Sequence, residues 1–171
     1  MEKGEMNGKN YPDAILEEIN RANLLIDKEL LIDAINILTN IIDSYPNEAY
    51  AYSIRGWLMQ KKGEYNSAII DYSNAIKRKP DIPNTIWLRA NCYEKIGELD
   101  KAINDYKNYL FYRPDDAEGY TNLGLLYEYK KNYFDAVFFY RKSNEIEGST
   151  YLIEKTNELN KHILGNSSEE D

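Results

Sequence analysis

The sequence predicts an all-α protein built from antiparallel helix hairpins that recur at a fixed spacing. The stretch Ala51–Pro80 alternates apolar and polar residues at helical intervals on both sides of a central glycine. Small residues recur every 34 positions, at Ala34, Ala68, Ala102 and Ala136. Prolines, which end helices because they lack an N–H, recur at the same spacing, at Pro46, Pro80 and Pro114.

A helix hairpin that repeats every 34 residues resembles the tetratricopeptide repeat. The fourth copy carries the most complete pattern of that family, with Tyr120, Leu123, Gly124 and Tyr127 followed by Ala136 and Tyr140. Other copies depart locally, since arginine replaces the usual leucine at Arg21, Arg55 and Arg89. The resemblance implies a right-handed superhelical solenoid whose concave surface is lined by the first helix of each pair.

The chain divides into three predicted parts. Residues 1–11 are polar and lack any period, so we expect a flexible N-terminal tail. Residues 12–164 hold the repeats and a C-terminal capping helix over 150–164, and residues 165–171 form an acidic tail. The four predicted repeats span about 15–48, 49–82, 83–116 and 117–150.

Small residues mark the predicted helix contacts and turns. Gly56 and Gly124 lie inside helices, where glycine costs about 1 kcal/mol relative to alanine, so we expect close helix approach there. Gly63 and Gly97 are expected to take the left-handed conformation at the turns. Asn132 is the expected equivalent in the fourth repeat.

Charge and composition narrow the range of partners. The chain has 21 Lys and Arg against 29 Asp and Glu, a formal net charge of −8. This balance argues against nucleic acid and anionic membranes and favours a neutral or basic protein partner. No apolar run is long enough for a membrane span. The single cysteine, Cys92, is consistent with a reducing compartment, and we expect a cytoplasmic location.

The residue types needed for catalysis are largely missing from the sequence. His162 is the only histidine, so a histidine-based triad or a zinc-binding histidine pair cannot form within one chain. No glycine-rich phosphate-binding motif occurs, and the carboxylates are scattered over helix exteriors. The sequence therefore predicts a protein without enzyme activity, metal or cofactor.

The family resemblance places a candidate ligand groove on the first helices. Trp57 and Trp87 are its most distinctive residues, because tryptophan combines a large apolar surface with an N–H donor. They could anchor a peptide whose backbone bonds to Asn23 and Asn91, or they could pack on each other between repeats. The full predicted set is Ile19, Asn23, Ile26, Tyr50, Ser53, Trp57, Gln60, Trp87, Asn91, Glu94, Thr121, Leu125 and Glu128.

The predicted function is a non-catalytic protein-interaction module, either a scaffold or adaptor or a co-chaperone-like protein. One branch of the family grips the C-terminal carboxylate of chaperones with basic residues. Here Ile19, Asn84 and Leu88 stand at the basic positions, so we expect no tight binding of acidic chaperone tails. The alternative is a structural protein that assembles into homo-oligomers through its end helices.

Overall fold

The computed structural model describes residues 3–6 and 9–166, and within them the chain is almost entirely helical. Two short strands, β1 (Lys3–Met6) and β2 (Lys9–Pro12), precede the helices. The described helices are α1 (Asp13–Asp27), α2 (Leu31–Ser44), α3 (Ala49–Lys61), α4 (Tyr65–Arg78), α5 (Pro83–Lys95), α6 (Leu99–Tyr112), α7 (Ala117–Tyr129), α8 (Tyr133–Glu147) and α9 (Thr150–Asn166). The predicted all-α array of helix hairpins followed by a last helix is confirmed.

The N-terminal segment differs from the expected tail. Strands β1 and β2 pair in antiparallel register, with Lys3 opposite Pro12 and Met6 opposite Lys9. Two residues separate the strands in the sequence, Asn7 and Gly8, and Asn-Gly is the dipeptide most typical of two-residue hairpin loops. The segment has no hydrophobic period, so this dipeptide is the local sequence signal for the hairpin. At the other end, α9 continues to Asn166, and the remainder of the predicted acidic tail lies outside the described residues.

The chain falls into two compact units, Met1–Ile96 and Gly97–Asp171. The first contains α1 to α5, and its main core cluster buries Ile15, Ala22, Leu38 and Leu58 among other apolar residues. A second cluster in the same unit is formed by Ala68, Tyr72 and Cys92. In this unit α3 packs against both α2 and α4, and α4 packs in turn against α5.

Close helix approach in the first unit occurs at Gly56 on α3. A Cβ atom at this position would lie 3.0 Å from ring carbons of Tyr72 and 3.2 Å from the Ala68 carbonyl oxygen of α4. Ala68 itself is fully buried. These small residues therefore let the backbone of α3 at Gly56 lie close to the Tyr72 ring of α4.

An ion pair with little exposure joins three helices of the first unit. Arg55 on α3 donates two hydrogen bonds of 2.8 Å to the Asp71 carboxylate on α4. Its third contact is to the Thr39 hydroxyl on α2, at 3.1 Å. The Arg55 and Asp71 side chains are only 19% and 6% exposed, so this arrangement takes the place of apolar packing at the junction.

The second unit contains α6 to α9, and α8 packs between α7 and α9. Its core cluster includes Ala136, Val137 and Tyr140 of α8 with Leu152 and Leu159 of α9. Phe139 of α8 stacks on two rings of α7, with centroids 6.5 Å from Tyr120 and 5.4 Å from Tyr127. The apolar side of α9 thus covers α8, which is the role expected of a capping helix.

The turns inside the hairpins use the left-handed conformation at positions 34 residues apart. Gly63 and Gly97 have φ of 78° and 79°. In the fourth repeat the left-handed residue is Lys131, with φ of 58°, and the expectation of Asn132 was one residue too late. Asn132 instead caps α8, because its side-chain oxygen accepts the Asp135 N–H.

Candidate binding surface on the first helices

Some of the predicted groove residues of α1 pack against the core, and one is exposed to solvent. Ile19 and Ile26 are half-buried and pack against the main core cluster of the first unit. Asn23 is exposed. Of the predicted groove residues on this helix, only Asn23 has a polar side chain that a ligand can reach.

On α3, the polar residues of the predicted groove bond to other helices. The Ser53 hydroxyl lies 2.7 Å from that of Thr85 on α5, which ties neighbouring first helices together. The Gln60 side-chain oxygen accepts a 2.7 Å hydrogen bond from the Tyr72 hydroxyl of α4. Burial raises the pKa of Tyr72, which keeps this phenol neutral and able to donate. These two residues position helices.

Tyr50 contacts the basic segment Lys77–Lys79 at the end of α4. The Lys79 ammonium donates a 2.6 Å hydrogen bond to the Tyr50 hydroxyl and lies 4.6 Å from the ring centroid. Arg78 sits over Tyr52 in the same way, at 4.2 Å. The last turn of α4 is therefore held against α3 by two cation–π contacts.

Trp57 is half-buried and touches both core clusters of the first unit. The Lys61 ammonium, one helical turn along α3, lies 4.5 Å from the Trp57 ring centroid. The ring is thus fixed by packing on one side while part of its surface remains accessible. On α5, Trp87 and Asn91 are also half-buried and Glu94 is exposed.

The second unit contributes α7, and here too the polar residues serve the fold. Ser143 on α8 donates a 2.8 Å bond to the Ala117 carbonyl, so in its 2.7 Å contact with Thr121 the threonine hydroxyl is the donor. Glu128 accepts a 2.7 Å bond from Tyr140 and pairs with Lys155 of α9 at 2.6 Å. Leu125 is exposed.

Burial and the Glu128 carboxylate shift the pKa values of the groups around Glu128. Burial raises the pKa of Tyr140, and its hydrogen bond to Glu128 adds to the rise. The bond to Glu128 also raises the pKa of Lys155. Glu128 therefore fixes α8 and α9 relative to α7, and sequence periodicity alone could not reveal this use of a groove position.

Cys92 lies on α5 and behaves as an apolar side chain. It is fully buried beside Ala68 and Tyr72. Burial raises its pKa to about 11, so the thiolate needed for nucleophilic chemistry is scarce at neutral pH. Among residues 3–6 and 9–166, no group of three or more His, Cys, Asp or Glu side chains is placed to hold a metal ion. None of the helices described there combines the length and apolar character needed to cross a membrane.

Comparison with known families and structures supports the fold. A family model described as tetratricopeptide repeat matches residues 49–82, 84–116 and 117–150. A crystal structure of MamA is 27% identical with a TM-score of 0.74, and the match covers 78% of each chain. No curated protein matches the sequence.

Two further structures extend the structural likeness at lower identity, where only the fold can be compared. A tetratricopeptide repeat protein from Parabacteroides merdae ATCC 43184 is 24% identical with a TM-score of 0.79, over 92% of this chain and 63% of that one. MamA from Desulfovibrio magneticus RS-1 is 15% identical with a TM-score of 0.77, over 92% and 89%. The first repeat, which precedes residue 49, is not matched by the family model.

Proposed function

The chain belongs to the tetratricopeptide repeat family, whose members are generally non-catalytic interaction modules, and we propose that it binds a protein or peptide segment on the first-helix face of its repeats. The observation that carries the proposal is the half-buried Trp57, fixed by two core clusters. A large ring that is already immobilised offers contact area at little entropic cost.

The neighbours of Trp57 support the same interpretation. Ser53 and Gln60 are held by hydrogen bonds to Thr85 and Tyr72, so the surface around the ring is preorganised. Asn23 on α1 is exposed and can bond to a peptide backbone. The binding surface that we propose in the first unit therefore consists of an aromatic anchor with a polar residue on a separate helix.

The ligand we propose is a neutral or basic segment. The chain carries a net charge of −8, and Glu94 on α5 is exposed. A cytoplasmic location and the absence of enzyme activity remain predictions from the sequence.

The test is capture from a native lysate with four forms of the full chain. Wild type is compared with Asn23→Lys, with Trp57→Phe, which removes the N–H donor and part of the ring, and with Asn36→Lys as a control. Asn36 is an exposed asparagine on α2, so its substitution introduces the same charge outside the proposed surface.

We expect one set of proteins to bind wild type and the Asn36→Lys control and to be lost from the other two baits. Circular dichroism establishes that all four are equally helical. Capture of the same proteins by all four forms would show that the first-helix face is not the binding surface.

A further inference from the structure

Helices α8 and α9 enclose an apolar cleft that the packing of the repeats does not require. The cleft has a volume of about 660 Å³ and lies between α8 and α9. Its apolar lining includes Phe134, Phe138 and Leu164, which are 73%, 54% and 70% exposed. A surface of this kind, with adjacent aromatic rings in water, marks an interaction site more often than a structural one.

The repeat register shows that Phe134 and Phe138 are special to the fourth repeat. The same two positions are Ile32 and Asn36 in α2, Asn66 and Ile70 in α4, and Asp100 and Asn104 in α6. The first three repeats therefore fold with at most one apolar residue at this pair of positions. The two phenylalanines in α8 therefore add exposed apolar surface. Among the described residues, no neighbouring helix of the second unit covers it.

Arg141, in the same cleft, is a second departure from the register. In the other repeats this position bonds to the following first helix: Thr39 accepts from Arg55, Ser73 accepts from Arg89, and Lys107 donates to Tyr127. Arg141 is exposed and forms no hydrogen bond or ion pair with any residue from 13 to 164, the range whose side chains the structure describes. An occupant of the cleft would thus need apolar side chains and a carboxylate that meets Arg141.

Helix α9 of another copy of this chain has the required chemistry. Its exposed residues include Ile153, Glu154 directly after it, and Glu158 one turn beyond Glu154. Helix α9 both lines the cleft, through Ile163 and Leu164, and carries the donor residues, so cleft and donor surface can form one self-complementary patch, as a two-fold interface requires. We propose that two copies dimerise by placing α9 of each in the α8–α9 cleft of the other, with Arg141 paired to Glu154 or Glu158 across the interface.

The size of the surface sets the expected strength. Helices of 15 and 17 residues rise about 1.5 Å per residue and are each about 10 Å wide, so the two side by side present a face of about 24 Å by about 20 Å, or about 480 Å² per copy. Stable interfaces bury about 800 Å² per partner, so this dimer is weak and forms at protein concentrations of about 0.1 mM or above.

The experiment is sedimentation velocity on the full chain from about 0.01 to about 1 mM at an ionic strength of about 0.15 M, which screens the repulsion between two copies of net charge −8. We expect the mean mass of wild type to rise toward twice the 20.0 kDa monomer mass. Phe138→Glu should remain monomeric, whereas the control Phe111→Glu, at an exposed phenylalanine on α6 outside the cleft, should dimerise like wild type.

Charge reversal distinguishes this two-fold arrangement from any other contact. Arg141→Glu alone, and Glu154→Lys with Glu158→Lys in one chain, should each remain monomeric because like charges then face each other. Mixed in equal amounts, the two variants should form a heterodimer, since both pairings are then opposite in sign. All the substituted residues are exposed, so we expect every variant to fold like wild type.

Wild type that stays monomeric at every concentration would overturn the proposal, and that result includes the case of a cleft occupied by another protein. Charge variants that dimerise like wild type, or a mixture that stays monomeric, would overturn it as well. The proposal does not depend on ligand binding by the first-helix face, because none of the residues tested belongs to that surface.

Discussion

Two glycine–tyrosine contacts recur at the same register position, and they differ in how tightly they pack. A Cβ at Gly56 would lie 3.0 Å from the Tyr72 ring, whereas a Cβ at Gly124 would lie only 2.5 Å from the Tyr140 ring. Tyr140 has little freedom to move, because it is buried and bonded to Glu128. The fourth repeat is therefore the one that requires glycine.

Gly124→Ala should destabilise the second unit by up to about 2 kcal/mol, since overpacking costs about 1–3 kcal/mol and the better helix propensity of alanine returns about 1 kcal/mol. Gly56→Ala should cost less, because the ring contact is looser. Ala22 and Ala90 occupy the same register position in the other repeats, which shows that alanine is compatible with it. Urea unfolding followed by circular dichroism measures both variants, and equal losses would contradict the difference in packing.

Cys92 offers a direct probe of burial at the residue scale. Burial raises its pKa to about 11 and excludes reagent from the sulfur. We expect labelling by a thiol reagent at pH 8 to be at least about 100-fold slower in the native protein than in urea. Fast labelling without denaturant would show that the cluster of Ala68, Tyr72 and Cys92 opens readily.

Periodicity placed Gln60 and Glu128 on the first-helix face, but it could not say what they do. Helical spacing gives the direction of a side chain and is silent about partners on other helices. Each of these residues accepts from a buried tyrosine hydroxyl, Tyr72 or Tyr140, which would otherwise lack a partner. Recognising that tyrosine and acceptor recur together would have identified these positions as structural.

At the scale of helices, the Arg55–Asp71 pair is the least conventional element of the first unit. It joins α2, α3 and α4 through two bonds to Asp71 and one to Thr39. In the fourth repeat the corresponding positions are Leu123 and Phe139, and Phe139 stacks on rings of α7. One register position is thus filled by an ion pair in one repeat and by apolar packing in another.

Asp71→Ala should destabilise the first unit by about 3–5 kcal/mol, because it leaves the Arg55 charge with little solvent and without its partner. The double variant Arg55→Leu, Asp71→Phe, which copies the fourth repeat, should recover most of that loss. Thermal unfolding of the single and double variants gives the comparison. A double variant as unstable as Asp71→Ala would mean that apolar packing cannot replace the pair in this setting.

The turn of the fourth repeat shows why element boundaries are hard to infer. Asparagine tolerates the left-handed conformation, so Asn132 was the natural expectation. The 34-residue register from Gly63 and Gly97 leads instead to Lys131, which is the residue with positive φ. The repeat geometry outweighs the preference of an individual residue, and strict application of the period would have given the correct position.

At the scale of the whole molecule, the fold was predictable because the same residue choices recur four times in one register. The surface was less predictable, since exposed positions leave no periodic mark. Phe134 and Phe138 look like ordinary apolar residues of an amphipathic helix in the sequence. Only their exposure shows that they face water.

The buried tyrosines and Cys92 together predict that the protein loses stability at alkaline pH. Burial raises the pKa of Tyr72 and Tyr140 and raises the pKa of Tyr109 to about 12, from an ordinary value of 10.0. Above pH 10 the unfolded chain loses these protons while the folded chain keeps them. The unfolded state is then favoured, and stability falls by about 1.4 kcal/mol per pH unit for each group.

Cys92 lowers the pH at which the loss of stability begins. Its pKa rises from 9.0 to about 11 on folding, so its contribution declines from pH 9 upward while the tyrosines are still silent. We expect urea midpoints that are level up to pH 9, decline gently to pH 10 and then steeply beyond. Cys92→Ala should delay the onset to pH 10, and Tyr140→Phe should reduce the later slope although it also removes the bond to Glu128. A midpoint that stays constant to pH 11 would mean that these groups ionise in the folded chain, and hence that the packing around them admits water.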